Sequence, residues 1–327
     1  MEEFRSMAQE ICFRSSFPRS PREYVCYSLT EESMSESHEE DLAVFFSSVD
    51  QAPTLRLGLI PTDEHRRPCI SGAALRSLWA PDVAGFDDGA LWLLHHKYDG
   101  YHHFPGDGEI ETFFFGYSRQ AIIWTYNRRT LSTRAMLVAR LPNLSPSRLA
   151  AEISERAQSL LLLVLERHAR HVSSPNFMGY TFAVSVCFLY DHYDNQHELA
   201  QIQEIEAATG FQWLGTPLRE GFSIDQITKW LQISGQVLIA YSGRKRSLGA
   251  IESLLDHLNS ELDDEYLSPC ETALRNHAMD SRHHLSEAIP QLRRRIHAYD
   301  KYMDYMTFRV ERLSSVVNTN PVIQTWT

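Results

Sequence analysis

Features that would assign a class outright are scarce in this chain of 327 residues. The longest unbroken aliphatic run, Leu160 to Leu165, is far shorter than the roughly 20 residues that a membrane-spanning helix needs. The first residues, Met-Glu-Glu-Phe-Arg-Ser, have neither the basic start nor the apolar core of a secretory signal. We therefore expect a soluble, cytoplasmic protein with no membrane span of its own.

The chain also has few cysteines and lysines, and its net charge is negative. The 5 cysteines are widely scattered and form no Cys-x-x-Cys pair, which favours free thiols over a disulfide framework or a zinc knuckle. Acidic residues outnumber basic ones by 42 to 31, and only Lys97, Lys229, Lys245 and Lys301 are lysines. An acidic chain without a basic stripe repels phosphate backbones, so no nucleic-acid partner is expected.

No sequence motif indicates a particular catalysed reaction. A glycine-rich phosphate loop, a nucleophile elbow and a Cys/His catalytic pair are all missing from the sequence. We therefore predict no catalytic and no cofactor-binding residues. The pattern of helices and strands says more about the fold than any single motif says about function.

The chain divides into three regions by pattern. Residues 1–50 contain an acidic, serine-rich stretch from Glu31 to Asp41 without apolar periodicity, which predicts a flexible acidic arm. Residues 51–143 carry strand-like patterns and form a predicted mixed α/β region. Residues 144–320 change to a period of about 3.6, which predicts a helical region. The expected fold class is α+β, with a β-rich N-terminal region followed by helices.

Individual strands follow from the pattern of residues 51–143. Leu55, Leu57 and Leu59 alternate with polar or small residues, as in a half-buried strand. Apolar runs predict further strands at Ala90–His96 and Ile110–Tyr117, and a hairpin is predicted around Asn127-Arg128-Arg129. Between the first two strands, residues 70–79 are predicted to form a short helix.

Two helix signals stand out in the second half. Ser223 and Gln226 form a capping box, with Phe222 placed to pack on Ile227, and predict a helix that extends to Leu262. A second helix is predicted from Thr181 to about Ala208.

The strongest periodic signal is a heptad seam over residues 285–317, with a narrow apolar ridge at spacings of four and three. Pro290 lies inside this pattern and either begins or kinks the helix. A narrow ridge needs a partner helix; packing against the Ser223–Leu262 helix of the same chain is favoured, and self-association is the alternative. The residues of the predicted oligomer seam are Leu292, Ile296, Tyr299, Met303, Met306, Val310 and Leu313.

Short runs of residues resemble those of a known family. Tyr117-Ser118-Arg119-Gln120-Ala121 is similar to a Ser-Ile-Arg-Gln run, and Arg309-Val310-Glu311 with Leu313–Asn318 resembles a stretch just before a first membrane span. Leu137–Pro142 and Phe222-Ser223-Ile224 are similar to further family segments. Together they resemble the cytosolic part of fungal CorA-like divalent-cation transporter proteins over about residues 50–320.

The resemblance implies a mixed α/β region, then helices, then a long stalk helix that assembles with its counterparts. Transport in that family also requires two membrane helices and a Gly-Met-Asn signature, and neither occurs in this sequence. The resemblance therefore implies a soluble, non-catalytic cytosolic-domain protein that acts by oligomerisation or by modulating a related membrane transporter. Divalent-cation sensing, with Mg²⁺ as the candidate ion, is a further implication.

Two clusters are candidate metal sites. Asp191, Asp194 and His197 share a helix face if this segment is helical, and could hold a divalent cation. One histidine from His95-His96 could meet one from His102-His103 across a turn and bind zinc. Both clusters also fit solvated or strand-edge side chains. The alternative function is a metal-dependent enzyme with a His/carboxylate site between the β region and the helices.

Overall fold

The computed structural model describes residues 21–48, 52–63, 68–80, 82–106, 108–140, 148–191, 195–210, 222–260, 266–267 and 270–318. Its described part has the predicted α+β class: a seven-stranded mixed sheet is followed by helices that end in one of 47 residues.

The sheet contains the strands β1 (Tyr24–Leu29), β2 (Met34–Glu39), β3 (Leu55–Ile60), β4 (Gly100–Phe104), β5 (Ile110–Gly116), β6 (Gln120–Asn127) and β7 (Ser132–Ala139). Their spatial order is β2-β1-β3-β7-β6-β5-β4. All neighbours are antiparallel except β3 and β7, which run parallel and pair Leu55 with Thr133 and Ile60 with Val138. The carboxyl ends of β3 and β7 therefore lie side by side at one edge of the sheet.

The helices are α1 (Leu42–Ser47), α2 (Gly72–Leu78), α3 (Asp88–His95), α4 (Arg148–Arg167), α5 (Phe177–Leu189), α6 (Asn195–Thr209), α7 (Ile224–Leu258) and α8 (Thr272–Asn318). None of these helices is both long and apolar enough to cross a bilayer.

The chain forms two compact units, Met1–Val186 with Gly249–Pro290, and Cys187–Leu248 with Gln291–Thr327. The first contains the sheet and the second is helical. In the first unit, α1, α2 and α3 bury one sheet face in a core that includes Phe46, Phe114 and Ile123. The opposite face packs against other helices, as the contact of Phe115 with Phe182 of α5 shows.

The predicted flexible arm is wrong for residues 21–48, which form β1, β2 and α1. β1 contributes the buried side chains of Tyr24, Cys26 and Leu29 to the sheet. β2 is the edge strand, so its polar and acidic side chains face water and show no apolar alternation. The arm prediction for residues 1–20 lies outside the described residues.

The predicted strand at Ala90–His96 is also wrong, because this run belongs to helix α3. Asp87 caps the helix: its side chain accepts a hydrogen bond from the Gly89 amide at 2.7 Å. A short apolar run does not distinguish a buried strand from a buried helix by periodicity alone, and here the cap decides. The predicted helix at 70–79 is confirmed by α2.

Other local predictions are confirmed. β3, β5 and the β6–β7 hairpin occupy the predicted positions, and Asn127 Oδ1 accepts hydrogen bonds from the amides of Arg129 and Thr130 in the connecting turn. The capping box at α7 is present, with the Gln226 amide donating to Ser223 Oγ and the Ser223 amide donating to Gln226 Oε1. Phe222, which was predicted to pack on Ile227, lies against Trp230 at 4.9 Å between ring centroids; its packing on Ile227 stays a prediction.

Two helix boundaries differ from prediction. The stretch predicted as one helix over Thr181–Ala208 forms α5 and α6. Pro290 does not begin the last helix: α8 starts at Thr272 and runs through the proline, which forfeits one main-chain hydrogen bond. No disulfide joins the four described cysteines, Cys26, Cys69, Cys187 and Cys270, to one another.

Candidate functional site

A buried polar cluster in the first unit is built around Glu111 of β5. This carboxylate lies in an otherwise apolar, aromatic strand and is only 4% exposed. Its neighbours come from four places: His103 from β4, Arg128 from the turn after β6, His257 from the last turn of α7, and Tyr266 from the segment after α7.

The contacts use both carboxylate oxygens. Tyr266 donates its hydroxyl hydrogen to Glu111 Oε2 at 2.8 Å, and His103 Nε2 lies 3.3 Å from the same oxygen. Arg128 forms an ion pair with Glu111 Oε1 at 3.0 Å, and its guanidinium also lies over the Tyr266 ring at 4.7 Å. The cluster is therefore a closed set in which the one carboxylate has three polar partners.

A stack of aromatic rings packs against His103, on one side of the cluster. The His103 ring lies parallel to Phe113 at 4.8 Å, and Phe113 in turn stacks on Trp124 at 5.1 Å. His257 approaches His103 at 4.5 Å between ring centroids. This stack fixes the orientation of His103 and thereby its distance from Glu111.

The electrostatics hold Glu111, Tyr266 and His257 each in one protonation state near neutral pH. Burial alone would raise the pKa of Glu111, but His103, the Tyr266 hydroxyl and Arg128 lower it below its ordinary value. Burial and the Glu111 charge raise the pKa of Tyr266, which keeps its hydroxyl a donor. Burial, together with His103, lowers the pKa of His257 to about 4, so this imidazole is neutral.

This arrangement is better suited to joining segments than to proton transfer. A general base needs a free lone pair directed at a substrate, whereas the Glu111 oxygens accept from Tyr266 and pair with Arg128. The hydrogen bond between Tyr266 and Glu111 spans 155 positions of sequence and ties the segment after α7 to the sheet. Glu111 therefore anchors the segment after α7 to the strand layer.

In the structure, His103 lies against a histidine that belongs to neither of the two predicted pairs. His95 and His96 lie at the end of α3, and the imidazole that faces His103 is His257. The described residues contain no group of three or more His, Cys, Asp or Glu side chains that could hold a metal ion.

Of the predicted divalent-cation ligands, only Asp191 has a described side chain. It forms an ion pair with Arg295 in the helical unit. The side chains of Asp194 and His197 lie outside the described residues, so this site stays a prediction.

The predicted seam is buried within a single chain. In the second unit Ile296, Tyr299, Met303, Met306, Val310 and Leu313 are at most 8% exposed, whereas Leu292 is only half-buried. The Arg244 side chain of α7 contacts the Tyr299 hydroxyl, and Lys245 of α7 forms an ion pair with Asp304. The ridge is therefore covered within the chain, where α7 contacts it at Tyr299, and self-association would have to use another surface.

Polar contacts between helices reinforce this unit. Arg244 forms an ion pair with Glu198 of α6, and both side chains are largely buried. Arg309 of α8 forms a bidentate ion pair with Glu206 of α6. The Tyr299 hydroxyl donates to the Tyr190 carbonyl at 3.1 Å. These pairs fix the register of α6, α7 and α8, because an unpaired charge at these positions would be costly.

Sequence reasoning missed Glu111 and its partners. The available signal was the glutamate itself, a charged residue in the apolar run Ile110–Tyr117. Tyr266 and His257 are separated from it by more than a hundred positions, and no local pattern connects them. Comparison with models of known protein families and with curated proteins finds no match for this chain.

Proposed function

We propose that this chain is a non-catalytic, cytoplasmic protein related to the cytosolic part of CorA-like transporters, and that it acts by assembling with copies of itself. The observation that carries the proposal is the order of elements. A mixed sheet comes first, helices follow, and a 47-residue helix comes last. This is the order that the resemblance implies.

The outer face of α8 is the surface we assign to assembly. Its ridge is already covered within the chain, yet Tyr305 and Phe308 are 49% and 55% exposed. They lie three positions apart and so share one helix face, and Arg312 extends the patch by lying over the Phe308 ring at 4.9 Å. Aromatic and arginine side chains are the types enriched at the centres of protein interfaces.

Light scattering on surface variants tests the proposal. The native chain is expected to form oligomers at tens of micromolar, and the double variant Tyr305→Glu/Phe308→Glu is expected to be monomeric because it places charges in the interface. Both positions are exposed, so the variant should fold normally. Leu274→Glu, an exposed apolar position nearer the start of the same helix, is the matched control and should leave the mass unchanged.

Divalent-cation sensing and a related membrane transporter are finer parts of the proposal. Asp191, Asp194 and His197 are the proposed Mg²⁺ ligands, and a Mg²⁺-dependent shift in oligomer mass is the expected sign of sensing. If the native chain is a monomer but binds a CorA-like transporter in a pull-down, the transporter replaces the second copy as the partner.

The alternative, a metal-dependent enzyme, would place its site at the Glu111 cluster, where histidines and a carboxylate meet between the sheet and α7. The contacts of Glu111 with Tyr266 and Arg128 count against this alternative, because metal binding would have to break both. Elemental analysis of purified protein separates the two functions. Stoichiometric, tightly held zinc, manganese or iron would favour the enzyme.

A further inference from the structure

A cavity of about 330 Å³ lies in the first unit at the carboxyl ends of the parallel strands β3 and β7. Leu59, Ile60 and Pro61 line it from β3 and the residue that follows, and Leu137 and Ala139 line it from β7. The crevice outside the carboxyl ends of neighbouring parallel strands is a recurrent ligand site in open sheets, since the chain diverges there. The volume is at the lower end of the range for small-molecule pockets.

Two polar side chains line the cavity. Gln120 is only 3% exposed, and its Oε1 accepts a hydrogen bond from Tyr117 at 3.3 Å. The Thr62 hydroxyl is buried and has no hydrogen-bond partner among the described residues. Buried polar groups are nearly always paired, so the Thr62 hydroxyl indicates a missing hydrogen-bonding group.

The charged side chains that line the cavity are of one sign. Glu23, next to β1, and Glu155, on α4, are both exposed and border the part of the cavity that reaches solvent. No lysine, arginine or histidine is among the described lining residues. Glu23 has only a distant contact with His38, at 3.9 Å, and Glu155 forms no ion pair with a described residue. This mouth favours a cation over an anion.

We propose that the cavity binds a small primary amine with an apolar body and a hydroxyl group. The apolar body contacts Leu59, Ile60 and Leu137, the hydroxyl pairs with Gln120 and Thr62, and the ammonium lies by Glu23 and Glu155. The proposal depends only on the sheet unit. It is independent of the assembly function and would survive its failure.

Calorimetric titration of the full chain with tyramine tests the proposal, because tyramine combines the three features. Saturable binding with a Kd on the order of 0.1 mM is expected for a ligand of this size. Phenethylamine, which lacks the hydroxyl, should bind several-fold more weakly, and the anion 3-(4-hydroxyphenyl)propionate should bind at least tenfold more weakly. Equal binding of the anion, or no saturation by tyramine at 10 mM, overturns the proposal.

Variants locate the site. Glu155→Gln should weaken tyramine binding about threefold to fivefold, as loss of an exposed ion pair does, and Glu166→Gln on the same helix is the matched control without effect. Thr62→Val should reduce the preference for tyramine over phenethylamine. Ala139→Phe should abolish binding by filling the cavity, with thermal unfolding used to verify that the variant folds.

A divalent cation is the rival occupant, because two carboxylates border the cavity. If MgCl₂ at millimolar concentration displaces tyramine and itself binds in a manner that Glu155→Gln abolishes, the amine assignment is overturned in favour of a metal. If MgCl₂ has no such effect, the amine assignment stands.

Discussion

At the scale of single residues, Glu111 shows how one charge can organise a fold. Removing water from a carboxylate is unfavourable, and the loss is offset here by Tyr266, Arg128 and His103 together. The three partners come from separate parts of the chain, so the ion is stable only when the sheet and the segment after α7 are in place. The cluster therefore couples folding of these segments.

We expect Glu111→Gln to lower the free energy of unfolding by about 1–3 kcal/mol, because it leaves the half-buried Arg128 without its counter-charge. Urea unfolding at pH 7 measures the effect. The matched control is Glu109→Gln, since Glu109 is 43% exposed and only loosely paired with Arg129 at 3.9 Å. If Glu111→Gln lowers the free energy of unfolding no more than the control does, the ion pair between Glu111 and Arg128 makes no net contribution to stability.

His257 is one group that makes stability depend on pH. Its folded-state pKa of about 4 lies below the ordinary 6.5, so the unfolded chain binds this proton first as the pH falls. Stability is therefore complete above pH 6.5 and falls between pH 6.5 and 4, by at most about 3 kcal/mol for this residue. Glu111, whose pKa is also lowered, adds a loss at still lower pH.

His257→Gln should flatten this slope by less than half, because other histidines with lowered pKa values supply the rest: burial lowers the pKa of His171 to about 4 and also lowers those of His95, His102 and His168. Unfolding curves at pH 7, 6, 5 and 4 make the comparison. His283→Gln is the control, since its side chain is 74% exposed. An unchanged slope in His257→Gln would show that this imidazole is solvated in the folded chain.

At the scale of elements, the sequence specified local structure well where the pattern is strong or capped. The Ser223–Gln226 capping box and the Asn127 turn both form as their residues require, because each depends on contacts within a few positions. The apolar run at Ala90–His96 was misassigned because its length fits either element. The edge strand β2 was missed since an edge needs few apolar side chains.

The seam of α8 is an element whose pattern was clear but whose partner was not. A heptad ridge requires a covering helix, yet the spacing does not say from which chain that helix comes. In this structure the ridge is covered within the chain, and α7 contributes polar contacts to α8 at Arg244 and Lys245. A buried ridge is important for the stability of the helical unit, whatever the role of the exposed face.

Met306→Ala should therefore destabilise the helical unit by about 2–5 kcal/mol, since Met306 is fully buried and truncation leaves a cavity. Hydrogen exchange of amides in α6 and α8 reports on this unit separately from the sheet. Arg294→Ala, an exposed position of the same helix outside the Tyr305–Phe308 patch, is the control and should change the free energy of exchange by less than about 0.5 kcal/mol. Equal effects at the two positions would contradict the burial of the ridge.

At the scale of the whole molecule, the fold class was predictable but the candidate sites were not. Composition and period identify a sheet region followed by helices, because both are averages over many residues. The Glu111 cluster and the cavity depend on contacts between distant positions, such as Gln120 opposite Ala139 and Tyr266 against Glu111. Such pairings can be identified only once the strand order β3-β7-β6-β5 is known.

The proposed function also belongs to this scale, because assembly is a property of several chains. Sedimentation equilibrium of the native chain over a range of concentrations tests it most directly. Self-assembly requires a mass that rises to a fixed multiple of 37.7 kDa as concentration increases into the tens of micromolar. A mass of 37.7 kDa at every concentration would contradict it.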